Sequence, residues 1–294
     1  MLASKVIFML DRSRTAPHID VMNKLPIQKR AQILGLLCEG MSLRAASRLA
    51  DVSINTVTKL LVDVGCAALA YQDKALRNLS CKRIQVDEIW SFVGAKEKNA
   101  SEEQKAKGNG DIWTWTAIDA DTKLAVSWLV GGRSAEYANA FMDDIAQRLA
   151  NRVQLTSDGH GAYLDAVKGA FGNKIDYAAL IKIYGTSPEG EKRYSPVECI
   201  GCRREPVTGN PDPKHISTSF VERQNLTMRM HSRRFTRLTN AFSKKVENHC
   251  HAVALHFLFY NFVRIHKTLR VTPAMAAGVA NHVWDMAEVA KLNN

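Results

Sequence analysis

The stretch from residue 83 to residue 171 constrains the fold more than any other. Arg83–Val93 alternates Ile84, Val86, Glu88 and Trp90 against Gln85, Asp87, Ile89 and Ser91, the period of two that marks a strand. Residues 113–118 and 124–130 are two further strand-like runs, separated by the tight turn Asp119-Ala120-Asp121-Thr122. The polar tract 96–111 joins the first two as a hairpin loop. Ser134 then caps a helix through Ala150 whose apolar face carries Tyr137, Phe141, Ile145 and Leu149. A short strand, 153–156, ends at Asp158-Gly159, and a short helix, 162–167, follows. Antiparallel strands followed by helix, strand and helix predict an α/β fold, a mixed sheet with flanking helices and a ligand site at the strand ends.

Three acids stand in that frame: Asp87 in IQVDEIW, Asp158 in LTSDGHG and Glu222 in SFVERQN. The first two sit at strand positions and the third on a helix capped by Ser217 or Thr218. Two carboxylates ~4 Å apart repel by about 4 kcal/mol at an effective dielectric of about 20, so such a cluster is hard to explain as packing. Mg²⁺, or Mn²⁺ in its place, takes oxygen ligands and offsets that repulsion. Two such ions are the usual means of cleaving a phosphodiester. Glu88, on the opposite face of its strand, is expected to point away from the metals and to serve as an internal control.

The helix around Glu222 can be phased. Residues seven apart return to the same face, which puts Glu222 and Arg229 together, with Asn225 between them and Arg233 returning eleven residues on. Residues 223–246 hold Arg223, Arg229, Arg233, Arg234, Arg237, Lys244 and Lys245 and no acid. One acid at the head of a basic stripe suits a metal ligand beside a DNA backbone. The formal net charge of +11 favours a polyanionic partner in the same way.

Residues 26–64 read as three short helices. Pro26 suits a first helical position, Ser42 caps the second helix, and Ser53 or Asn55 caps a third that Gly65 stops. Two helices joined by the Asp51-Val52-Ser53 turn have the form of a helix-turn-helix, whose last helix enters the major groove. Ser53, Asn55, Thr56 and Lys59 are the residues expected to contact double-stranded DNA.

Other features carry less. Between Gly172 and Pro213 the patterning breaks down, which predicts an insertion or a substrate-contacting loop. Cys199 and Cys202 within it lack a second ligand pair and read as incidental. Residues 245–266 form a long apolar helix; the spacing of His249, His251 and His256 spreads them over its faces, so they read as core. The six cysteines are scattered, and the apolar run 6–10 is too short for a signal-peptide core, which suggests a reduced, cytoplasmic setting. Nothing else was expected to approach a membrane-spanning length without charges, so no membrane partner is predicted.

The segments QVDEIWSFV, GDIWTWTAID, TSDGHGAY, GNPDPKHISTSFVERQN, RRFTRLTNAFSKK and YNFVRIHKTLRVTPAMAAG together resemble the transposases of the insertion sequence one family, within the DDE group. The resemblance runs from about Leu25 to Gly278. It implies a ribonuclease-H-like catalytic core, a triad of Asp87, Asp158 and Glu222 holding two Mg²⁺ ions, and Arg229 in a DNA-positioning role. It also implies binding of terminal inverted repeats by the front module, action on element ends and target DNA, a homo-oligomer assembled on DNA, and a bacterial or archaeal nucleoid setting. The chain departs from some members in having no cysteine cluster ahead of Asn23.

The expected organisation is an N-terminal extension over 1–22 with Met22 as the natural start, and a small all-α helix-turn-helix domain over 23–66. A linker over 67–81 leads to the catalytic domain over 82–240, with its insertion at 172–216, and a helical C-terminal region over 241–294 follows. Two rivals share these residues: a nuclease on the same core that cuts without joining, and an inactive DNA-binding regulator.

Overall fold

The computed structural model describes residues 24–185, 199–236 and 239–294. The 1–22 extension and Arg237 lie outside the described residues, as does the middle of the expected insertion.

Three helices open the chain: α1 (Ile27–Cys38), α2 (Leu43–Ala50) and α3 (Ile54–Ala75). Ser42 and Ser53 cap the second and third through their hydroxyls, as their residue types suggest. Asp51 ends α2 in the left-handed conformation at φ 49°, a turn that Asp tolerates. Gly65 was expected to stop α3, and it does not: the helix runs ten residues further, through the expected linker, to Ala75. The reason is tertiary. A Cβ at Gly65 would lie 2.5 Å from Cβ of His251, so the glycine permits a close helix crossing instead of ending a helix. By length and composition α3 is also apolar enough to cross a membrane, contrary to expectation. Its Val57, Leu61, Val64 and Ala68 are buried within the chain's own core.

The centre is a six-stranded sheet of β1 (Arg83–Val93), β2 (Gly110–Asp119), β3 (Ala125–Gly131), β4 (Gln154–Asp158), β5 (Asp176–Tyr184) and β6 (Cys199–Thr208), in the order β3-β2-β1-β4-β5-β6. The pairs β1–β2, β2–β3 and β5–β6 are antiparallel, while β4 runs parallel to β1 and β5. This is the mixed α/β sheet with flanking helices expected from the sequence. Two of its strands were not expected: β5 and β6 form from the stretch that read as an unpatterned insertion. The segment YAALIKIY is a short run buried on both faces at its start, so it shows no alternation. The polar tract between β1 and β2 is also partly ordered, with α4 (Glu102–Ala106) held by a capping box from Ser101 and Gln104.

Helices α5 (Ala135–Arg148) and α6 (Ala162–Phe171) cover one face of the sheet, where Trp115 packs on Phe141 and Tyr163. Helices α7 (Ser219–His231) and α8 (Val246–Leu258) lie on the other, where Trp128 stacks on Phe257 with ring centroids 4.7 Å apart, an arrangement worth about 0.5–1.5 kcal/mol beyond its buried area. The long helix expected over 245–266 runs unbroken from Val246 but widens after Leu258 into one π turn, Phe259–Val263, and ends there. It places the buried Asn261 amide against the backbone N–H and C=O of Ala125, both at 3.0 Å, so a side chain completes the hydrogen bonding at the start of edge strand β3. Short helices α9 (Pro273–Ala276) and α10 (Met286–Lys291) close the chain, and Trp284 packs on Tyr71 of α3.

Candidate metal centre

Strand alternation and register place the site. Asp87 pairs with Thr116 across β1 and β2, on the face covered by α7, whereas Glu88 pairs with Trp115 on the face covered by α6. Asp158 is the last residue of β4, beside Leu180 of β5. Because β4 stops there while β1 continues, side chains from either face of β1 can reach round the strand end. Asp87, Glu88 and Asp158 each offer an oxygen within 4.8 Å of the others. The expectation that Glu88 points away from the acids is therefore corrected. It leaves β1 on the far face, but its long side chain turns into the cluster. Tyr163 Oη holds it at 2.9 Å and Arg133 Nε at 2.7 Å, with only 1% of the side chain exposed.

Each acid is fixed by a different partner. Asn225 of α7 donates to Asp87 Oδ2 at 2.8 Å. The backbone N–H of His160, in the turn after β4, donates to Asp158 Oδ1 at 3.0 Å. Helix α7 is tied down by Gln85, whose side-chain oxygen accepts from the N–H groups of Phe220 and Val221 at 2.8 and 3.2 Å. Those donors have no partner within a helix, so a β1 side chain both satisfies them and sets the first turn of α7 against the sheet.

Electrostatics mark the same place. Burial, then the neighbouring charges of Glu88, Asp158 and Glu222, push the Asp87 carboxyl up to about 7. Burial, followed by the charges of Glu88, Asp87 and Asp158, holds the Tyr163 hydroxyl well above its ordinary value, so it remains a donor. The donor set is all oxygen, crowded and mutually repelling, which is the chemistry that suits a hard divalent cation. The cluster of Asp87, Glu88 and Asp158 can hold a metal.

Glu222 stands apart from that group. Its Oε1 accepts from Lys182 Nζ of β5 at 2.6 Å and from the Thr218 hydroxyl. Its charge nonetheless contributes to the shift at Asp87, so it borders the cluster.

The residues expected to touch DNA divide. Ser53, Asn55 and Lys59 are exposed at the start of α3 and Thr56 is half-buried; the Ser53 and Thr56 hydroxyls face each other at 2.9 Å, and Lys59 pairs with Asp63 at 2.8 Å. Arg223 is exposed on α7 and Arg229 half-buried. Asn225 does not face solvent: it is 8% exposed and spent on Asp87, because it looks inward from α7 toward β1. Arg233 does not continue the Glu222 face, since α7 ends at His231 and Ser232 is extended. Arg234 turns inward to Ser243 Oγ at 3.0 Å, and burial lowers its guanidinium to about 10.

Lys182, Arg133, Tyr163 and Gln85 were not singled out from the sequence, and Glu88 was singled out only as a control. Lys182 carried the one usable signal, a lone cation in the otherwise apolar ALIKIY.

No protein-family model and no curated protein matches the chain. Among solved structures, a piggyBac transposase synaptic complex with hairpin DNA is similar at a TM-score of 0.41, with 10% identity over 91% of this chain and 69% of that one.

Proposed function

We propose that this chain is a DNA transposase that cuts and joins DNA strands at the Asp87–Asp158 cluster. The observation that carries the reading is the meeting of Asp87, Glu88 and Asp158 oxygens within 4.8 Å at the end of β4. The motif resemblance and the net charge of +11 support a nucleic-acid substrate for it.

Asp87 and Asp158 would hold Mg²⁺ or Mn²⁺, with Glu222 as the third ligand of a two-ion site. Bound there, such ions supply a water activated at neutral pH and neutralise charge on the leaving oxygen. The protein's own groups do the positioning. Asn225 and the His160 N–H fix the rotamers of the two aspartates. Tyr163 and Arg133 hold the Glu88 side chain in place beside them. Helices α1–α3 form the helix-turn-helix that binds terminal repeats, with Asn55 and Lys59 exposed for base and phosphate contact. Arg223 and Arg229 of α7, the helix that carries Glu222, contact the DNA backbone.

The test uses a duplex carrying the repeats that flank the gene, with Mg²⁺ present. The wild-type chain is expected to cleave at the repeat end and join the freed 3′-hydroxyl to target DNA, and Asp87→Asn to bind the repeat yet do neither. Cleavage without joining would move the assignment to a nuclease. Retained cleavage in Asp87→Asn would remove the site.

A further inference from the structure

Lys182 is the least expected resident of this site. It lies on β5, two residues beyond the Leu180 that pairs with Asp158, in a strand that is otherwise apolar from Tyr177 to Ile183. Its ammonium sits 2.6 Å from Glu222 Oε1, with 30% of the side chain exposed and 39% of its partner's. The Thr218 hydroxyl reaches the same oxygen. Glu222 is thus engaged on one oxygen by an internal cation and a hydroxyl, and it lies outside the group formed by Asp87, Glu88 and Asp158.

We infer that Lys182 is a positioning residue that exchanges partners: it holds Glu222 while the site lacks metal, and yields it when a divalent ion draws the carboxylate toward Asp87. This rests on the metal-binding reading of the cluster. An ammonium and a divalent ion compete for one carboxylate, so the pair opposes loading at the Glu222 side. Once released, the ammonium remains at the rim of the cluster. Arg204 of β6 pairs with Leu180 and so shares Lys182's face of the sheet, where it is exposed. Two cations on the sheet face that carries Asp158 suit the phosphates flanking a scissile bond. Lys182 therefore couples metal entry to DNA engagement.

The experiment is a calorimetric Mn²⁺ titration of the full chain without DNA, comparing wild type with Lys182→Met, Lys182→Arg and Asp87→Asn. Removing the competing ammonium is expected to tighten Mn²⁺ binding about two- to fivefold, the scale of one partly exposed ion pair. Lys182→Arg keeps the charge and should stay near wild type. With Mn²⁺ present, Lys182→Met should then bind duplex DNA more weakly than wild type; without metal the two should bind equally. If Lys182→Met does not fold, Lys182→Gln supplies the same comparison. Unchanged or weaker Mn²⁺ binding in the neutral variants overturns the exchange. Absence of Mn²⁺ binding by wild type overturns the underlying metal reading instead, and Asp87→Asn, expected to lose binding, separates the two results.

Discussion

Asn225 of α7 reaches across to β1 and donates to Asp87 Oδ2 at 2.8 Å. The amide stabilises the ionised form of a carboxylate that burial and three neighbouring acids push up to about 7. Without it, the carboxyl should rise further. Mn²⁺ must displace a proton from Asp87, so its affinity should climb up to about tenfold per pH unit below 7 and level off above. Asn225→Ala should move that knee upward by about one unit. Affinities measured between pH 5.5 and 9 check both, and a flat profile would contradict them.

Glu88 yields a second prediction, opposite to the one its strand position suggests. Glu88→Gln keeps a group that can accept from Tyr163 but removes a charged oxygen from the cluster. It should weaken Mn²⁺ binding by about tenfold, within the range for altered metal-site partners. Glu88→Ala should do the same and also destabilise the fold by about 1–3 kcal/mol, because the buried Tyr163 hydroxyl loses its acceptor. Calorimetry and thermal unfolding read the two effects separately.

The crossing of α3 and α8 is tested at Gly65. A Cβ there would meet His251 at 2.5 Å from its Cβ and 2.9 Å from its carbonyl oxygen, and backbone cannot step aside. Gly65→Ala should cost about 2–3 kcal/mol by overpacking, despite the better helix propensity of alanine. An unfolding midpoint equal to or above wild type would show that the crossing is looser than described.

Stability should also fall with acid through two buried histidines. Burial lowers His249 and His256 to about 3, with the charge of Arg234 adding to the first and those of His231 and Arg264 to the second. Their unfolded values lie near 6.5, so the unfolded chain binds more protons below that pH. The stability these groups contribute is complete above pH ~6.5 and is lost as pH falls toward 3. By pH 5 each costs about 2 kcal/mol. Unfolding followed from pH 7 to pH 5 should show that decline, and His256→Gln should make it shallower whatever it does to the stability at pH 7.

How far the sequence could be read follows from which signals are local. Alternation in β1, the hydroxyl caps at Ser42 and Ser53, and the turn after Asp158 are written in neighbouring residues, and each is found in place. Gly65 misled because a close crossing and a helix stop call for the same residue; only α8, nearly two hundred positions on, distinguishes them. β5 was missed because a strand buried on both faces has no period to detect. Asp87 and Asp158 could be named from their segments, but the inward turn of Glu88 depends on β4 ending before β1 does. Asn225 was expected to face DNA and instead meets Asp87, since helical phase gives relative faces without saying which one meets the sheet.

The central claim is that Asp87 and Asp158 share a divalent ion. Anomalous diffraction from crystals of the wild-type chain grown with Mn²⁺ tests it most directly. A peak is predicted within bonding distance, about 2.0–2.2 Å, of carboxylate oxygens of both aspartates, and it should vanish in Asp87→Asn. No peak there, or one that persists in Asp87→Asn, would contradict the account.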